Sequence, residues 1–346
     1  MKCLVLMENT VPQGSNLEGE HGLSLLISYK DRTILLDAGS SGKFADNAQK
    51  LGADLSKVDF AVLSHGHFDH ADGLRRFFQC NATARVYARP SAGDSYFSTS
   101  TGAPRFIGVH RDIWEGCRER FDLSAGPRAL GDGVWLLPET VHGGPFASRE
   151  TNLLRKVGPD QFVPDDFSHE QSLVLEGEQG LVVFNSCSHG GIVNIVKGVK
   201  EQLHRPVYAV VGGLHMFSAS APSGMNCPGE YVGQVARALR DEGVKRVYTG
   251  HCTGPAAAQL LERELGVSLI TRDGQAVAVS ESADALALAV QTLQMLDRMR
   301  SLGEQIDEFA VSRALASVRE GRVEETVTAM KGVVAYTYNG NDLTYW

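Results

Sequence analysis

The sequence is poor in paired cysteines, in basic charge and in long apolar runs, and each shortage excludes a class of protein. Its six cysteines, at 3, 80, 117, 187, 227 and 252, are scattered, with no CxxC pair. A zinc ribbon and a dithiol redox motif are thereby excluded. Isolated thiols in an acidic chain point to a reducing compartment, the cytoplasm. Lysine and arginine number 33 against 41 aspartates and glutamates, a net charge of −8, and no basic stripe occurs. That balance disfavours a stable nucleic-acid partner. No apolar stretch approaches the length of a membrane span, and the run before Glu8 is too short for a secretion-signal core. The expected partner is a small-molecule substrate, with neither a membrane nor nucleic acid. The stretch 280–346 holds no histidine and no cysteine, so any metal chemistry has to lie upstream of it.

What is present is concentrated. Ser64-His65-Gly66-His67-Phe68-Asp69-His70 packs three of the chain's 11 histidines and a carboxylate into six consecutive positions, 65 to 70. The apolar run before it, residues 58–63, reads as a buried strand that delivers the cluster to a sheet edge. In extended backbone, residues i and i+2 point the same way, so His65 and His67 can grip one ion together. Asp69 and His70 follow at a turn, at other angles, where they suit a second ion. A helix is expected over 71–78.

Taken in order, strands are expected at 2–7, 22–29 and 33–37, the last two as a hairpin, then a helix at 44–51, the metal strand, and a strand at 84–88. The stretch 89–132 shows poor periodicity and reads as irregular connection and substrate lid. A strand at 134–137 precedes a second irregular stretch, 140–166. A hairpin at 171–176 and 181–185 follows, then a helix at 192–203, a strand at 207–211, a helix at 230–242, a strand at 246–249 and a helix at 256–265. Strand ends along this path lead into His70, His189, His215 and His251, a repetition that favours one shared site. At 346 residues, with 43% apolar composition, the chain can bury a large core and carry an appendage. Beyond 279 the pattern turns helical, with stripes at 283–302, 306–318 and 322–330, and ends in a hairpin signal at Asn339-Gly340. The expected domains are 1–279, catalytic, and 280–346, a packing or dimerising appendage.

HGHFDH after a strand, with Asp37-Ala38-Gly39 upstream, resembles the HxHxDH signature of the metallo-β-lactamase fold. Residues 20–27 (EHGLSLLI), 186–196 (SCSHGGIVNIV), 210–216 (VVGGLHM) and 250–254 (GHCTG) are similar to one subgroup of it. That subgroup is the metal-dependent hydrolases related to the archaeal dihydropterin–ribofuranosylaminobenzene phosphate synthase. The resemblance covers 1–279 and implies a mixed α/β fold, the four-layer αβ/βα sandwich, with the helical extension and terminal hairpin appended. It implies one or two divalent transition-metal ions, zinc first, with iron or manganese as alternatives. His65 and His67 match ligands of a first ion; Asp69, His70 and His251 match ligands of a second. The remaining ligand of the first ion is His189 or, by topology, His169. Cys187 falls where the family usually carries a bridging Asp, and reads either as a ligand or as a buried free thiol. His215 is a ligand substitute, a substrate contact or a neighbour of the ligands.

The implied reaction is hydrolysis by metal-activated water, with Asp69 orienting the nucleophile or taking its proton, on a small phosphorylated or ester substrate. Two alternatives stand beside it. One is a transferase joining a pterin diphosphate to an aminobenzene ribose phosphate; the other is a non-catalytic, metal-containing metabolite sensor.

Overall fold

The structure is a computed structural model that describes residues 1–11, 14–265, 268–269 and 277–278. The helices and hairpin expected beyond 279 lie outside the described residues. Residues Met1–Val277 form one compact unit.

The first half supplies strands Lys2–Met7 (β1), Ser24–Tyr29 (β2), Arg32–Leu36 (β3), Phe60–Val62 (β4), Arg85–Ala88 (β5), Tyr96–Ser98 (β6), Arg105–Phe106 (β7) and Phe121–Leu123 (β8). The second half supplies Arg128–Gly131 (β9), Val134–Pro138 (β10), Leu153–Gly158 (β11), Gln161–Pro164 (β12), Gln171–Glu176 (β13), Leu181–Phe184 (β14), Val207–Val211 (β15), Arg246–Thr249 (β16) and Ser268–Leu269 (β17). One sheet runs β1-β2-β3-β4-β5-β8 and a second runs β17-β16-β15-β14-β13-β10-β9. Both are mixed: the hairpins β2–β3 and β13–β14 are antiparallel, and β3–β4–β5 and β14–β15–β16 are parallel. Parallel neighbours need crossovers, and the helical segments between them supply these.

Those helices cover one face of each sheet. Lys43–Lys50 (α1), Leu74–Cys80 (α3) and Arg111–Trp114 (α4) bury Phe44, Ala48, Leu74, Phe77 and Ile113 in one cluster with Leu26, Leu35 and Ala61 of the first sheet. Ile192–Leu203 (α5), Gly229–Asp241 (α6) and Pro255–Leu265 (α7) bury Val196, Val235 and Leu261 against Val174, Val183 and Val210 of the second. Side chains alternate along a strand. Leu25, Ile27 and Ile34 of one sheet, and Leu173, Leu175 and Val182 of the other, are equally buried yet belong to neither helix-facing cluster. They fill the space between the sheets, which gives the αβ/βα sandwich. Among the described residues no helix is long and apolar enough to cross a membrane.

Two stretches expected to be irregular are not. Residues 89–132 and 140–166 contribute a third sheet, ordered β12-β11-β6-β7. Its strands are two to six residues long and mostly half-buried. Runs so short show no periodicity, and β6 pairs with β11 from more than fifty positions away, Phe97 opposite Leu154. Part of the expected lid is instead a buttress: His67 bridges to Gly108, and the Phe68 amide donates to Ile107 O at 2.9 Å. The helix after the cluster also starts earlier than expected. Phe68–Ala71 (α2) already contains Asp69 and His70, with His67 as its extended N-cap residue.

Candidate metal centre

The site lies where strand ends of both sheets meet. Four residues there have left-handed backbone: Asp37 (φ 58°) after β3, Ser188 (φ 53°) after β14, His215 (φ 49°) after β15 and His251 (φ 49°) after β16. Such conformations cost about 1–3 kcal/mol each outside glycine and persist only where the surroundings impose them. Here they turn the chain sharply at the sheet edge, which brings residues from distant strands together.

A first donor group comprises His65, His67 and His189. All three are buried, with ring centroids 4.6 Å apart for His65–His67 and 4.9 Å for each of them to His189. Their ligand atoms lie within 4.8 Å of one another. His65 Nε2, His67 Nε2 and both nitrogens of His189 are buried without a hydrogen-bond partner. Burial of such groups costs about 1–3 kcal/mol each when nothing satisfies them. The His65 ring is oriented by a relay: Ser64 Oγ donates to Asp37 Oδ2 at 2.7 Å, so His65 Nδ1–H donates to Ser64 Oγ at 2.8 Å and Nε2 keeps its lone pair. Burial, reinforced by the neighbouring imidazoles, holds His65 and His189 well below the usual histidine range, so both are neutral. Neutral imidazole is the form that binds metal.

A second donor group surrounds Asp69. Its Oδ2 lies 3.4 Å from His70 Nε2, 3.6 Å from His251 Nε2 and 3.2 Å from His21 Nε2. His70 Nδ1 bonds Asp37 Oδ2 at 2.8 Å and His251 Nδ1 bonds Asn9 Oδ1 at 2.8 Å, which directs both Nε2 atoms toward Asp69. Burial opposes ionisation of Asp69, but His70, His21 and His251 together hold its carboxyl well below the usual range. Burial likewise opposes protonation of His70, and Asp69 and Asp37 outweigh it, lifting this group to about 10. Cys187 Sγ stands 3.2 Å from His70 Nε2, and burial pushes its thiol up. Imidazole nitrogens without partners, a carboxylate and a thiol, all buried, suit a divalent transition metal.

Residues 17–196 match the family model described as the metallo-beta-lactamase superfamily, more than half of the chain. The chain belongs to the metallo-β-lactamase superfamily. It is 30% identical over 279 residues to the 7,8-dihydropterin-6-methyl-4-(beta-D-ribofuranosyl)-aminobenzene-5'-phosphate synthase of Methanocaldococcus jannaschii, covering 76% of this chain and 91% of that protein. An uncharacterized protein of the same organism is 25% identical over 221 residues, 62% of this chain and 80% of that one. Among solved structures, a metal-dependent hydrolase of the β-lactamase superfamily superposes with a TM-score of 0.65 at 28% identity, covering 81% of this chain and 99% of that one. The expected family and fold class are thus borne out.

Within this metallo-β-lactamase site, His189 and His169 occupy different environments. His169 Nδ1 accepts the Gly66 amide at 2.8 Å and its Nε2 pairs with Asp165 Oδ2 at 3.0 Å, so both nitrogens are already partnered, although His169 and Asp165 also lie with His67 in a donor group within 4.8 Å. His169 braces the HGH loop from beneath, with Tyr96 against its ring at 4.1 Å. His215 packs 4.3 Å from the His189 ring and its Nε2 lies 3.2 Å from Glu150 Oε1. Burial opposes protonation of His215, but Cys252 and Glu150 raise it to about 10.

Sequence reasoning passed over several supports. Asp37 anchors Ser64 and His70 at once, and Glu8 accepts the His251 amide. Glu170 receives the His189 and Gly190 amides at 2.9 and 3.0 Å, and Phe167 stacks on the His189 ring at 4.8 Å. The carboxylate in Asp37-Ala38-Gly39 and the histidine in EHGLSLLI were visible signals; a Glu next to His169 was not a distinctive one.

Glu139 illustrates a further consequence of this packing. Its Oε1 is buried without a partner, and burial, then the nearby Glu170 carboxylate, raise its carboxyl from 4.5 to about 8. Between those pH values the folded protein keeps a proton that the unfolded chain has released, so stability falls as pH rises through that window. A Glu139→Gln protein is predicted to show a flatter melting-temperature profile from pH 5 to about 8 and to exceed the wild type above it. Parallel profiles for the two proteins would exclude this account.

Proposed function

We propose that the protein is a metal-dependent hydrolase of a small phosphorylated or ester substrate. The observation that carries this reading is the convergence of buried, unpartnered nitrogens from His65, His67 and His189 beside the Asp69–His70–His251 group. In this reading His65, His67 and His189 hold a first ion, and Asp69, His70 and His251 hold a second, zinc being the first candidate. A divalent ion held there would supply Lewis acidity, lowering the pKa of bound water and polarising an ester or phosphoryl oxygen.

The chain's own residues supply the rest. Asp69, ionised and facing the site, orients the attacking water or takes its proton. His215, protonated and held by Glu150, packs against His189 and can deliver a proton to the departing oxygen. A cavity beside these residues is lined by Ser148, Arg149, Asn226 and Tyr231 as well as by His189 and His215. The exposed Arg149 guanidinium lies 4.8 Å over the Tyr231 ring, which holds a cation on the cavity rim where an anionic substrate group would sit.

The test is turnover of p-nitrophenyl phosphate, its bis-ester and p-nitrophenyl acetate by metal-loaded and chelator-stripped protein. At least one of these esters is predicted to be cleaved by the loaded form alone; undiminished cleavage after complete metal removal would sink the reading. A synthase-type condensation is the second reading, favoured by the 30% identical relative. Pyrophosphate released only when both co-substrates are supplied together would select it.

A further inference from the structure

Phe167, in the connection 165–170 between β12 and β13, also has left-handed backbone, with φ at 54°. A bulky side chain in that conformation crowds the neighbouring carbonyl, so the turn has to be imposed by its surroundings. Two hydrogen bonds impose it. Asp165 Oδ1 accepts the Phe167 amide at 2.9 Å, and the Phe167 carbonyl accepts the Glu170 amide at 2.9 Å. What the strained turn achieves is a flat stack: the Phe167 ring lies 4.8 Å from the His189 ring at an interplanar angle of 1°, an offset parallel arrangement.

His189 depends on such a partner in a way that its neighbours do not. Nδ1 of His65 is bonded to Ser64, that of His70 to Asp37 and that of His251 to Asn9, so a hydrogen bond orients each of those rings. Both nitrogens of His189 lack a partner. Its backbone is anchored, because the buried Glu170 carboxylate accepts the His189 and Gly190 amides, but an anchored backbone leaves the side-chain torsions to be set by packing. The rings of His65, His67 and His215 meet His189 at 70°, 84° and 50°. Among the described residues Phe167 alone lies flat on it. We infer that Phe167 is a positioning residue for His189: the strained turn holds a phenyl face against the imidazole and fixes its plane, in place of the missing ring hydrogen bond. The inference rests on the proposed function only for the presence of metal.

The test uses the full-length protein, carbon-13-labelled on its histidine rings, and three variants. Phe167→Leu keeps an apolar and equally strained residue but loses the flat face, whereas Phe167→Tyr keeps the face. Phe77→Leu makes the same change in the helix-facing core of the first sheet, away from the donors. By nuclear magnetic resonance, the His189 ring protons are predicted to be displaced upfield by the phenyl ring current, with and without zinc. That displacement persists in Phe167→Tyr and Phe77→Leu and disappears in Phe167→Leu. Competition with a chromophoric chelator is predicted to show the first zinc ion bound about 10-fold or more weakly in Phe167→Leu, and the second unchanged. Phe167→Tyr restores the first affinity. Undisplaced His189 signals in the wild type, an undiminished first affinity in Phe167→Leu, or an equal loss in Phe77→Leu or at the second ion would each overturn the inference. Neither readout needs turnover. A protein that shows both effects yet cleaves none of the p-nitrophenyl esters would refute the proposed function and leave this inference standing.

Discussion

His67→Ala is expected to lose the first ion and, with it, metal-dependent turnover. His67 Nε2 is one of the unpartnered nitrogens of the His65–His67–His189 group, and its removal leaves two imidazoles, too few to hold zinc in competition with water. Loss of an outer hydrogen-bonding partner of a ligand costs about 10–100-fold in affinity or activity, and loss of a ligand itself exceeds that. The fold should survive, because the His67 ring packs against His65, Tyr96, His169 and His189 at the site rather than into either helix-facing core, and its backbone bridge to Gly108 does not depend on the ring. Metal analysis, hydrolysis assays and circular dichroism on one preparation separate the possibilities. Full metal content, or turnover retained after the metal has gone, would refute the reading of this group as a catalytic ion site.

Gly212→Ala is predicted to destabilise the fold strongly, although it touches no donor. Gly212 directly follows β15 with φ at 138°, and a Cβ there would stand 1.9 Å from Asn185 O. Its amide donates to Tyr248 O at 3.0 Å and its carbonyl accepts Thr249 Oγ1 at 2.8 Å, so this residue ties the end of β15 to β16 while Asn185, just after β14, presses against it. A methyl group would force apart the strand ends that carry Cys187, His215 and His251. Backbone strain and overpacking each cost about 1–3 kcal/mol, so a total near 3 kcal/mol or above is expected. For a chain of this size that is a fall in melting temperature of roughly 4–5 °C. Gly52→Ala is the control: φ is 71° but nothing lies within 4 Å of the added Cβ, so only the backbone term applies. Equal losses in the two variants would show that the close approach to Asn185 does not matter.

The sequence and the folded chain inform on different parts of this protein. Elements built on local pattern were legible: α5 over Ile192–Leu203, β15 over Val207–Val211 and β16 over Arg246–Thr249 fall at their expected positions, because apolar periodicity and flanking glycines act over neighbouring residues. The third sheet was not legible, since strands as short as Arg105–Phe106 acquire their structure only from partners far along the chain. Nor could spacing choose between His169 and His189. Both follow or precede a strand of the same hairpin, and only the folded backbone gives one of them two hydrogen bonds and the other none.

By itself, then, the sequence determined the family, the sandwich and the HGHFDH cluster, because these depend on residue type and local order. Tertiary structure alone decided which remaining side chains share a centre with that cluster. It placed Cys187 against His70, gave Asp37 both Ser64 and His70 to hold, and set Glu170 beneath His189. The physical reason is that donor distances of about 3–4 Å are set by the left-handed turns at Asp37, Ser188, His215 and His251, where strands far apart in sequence end side by side.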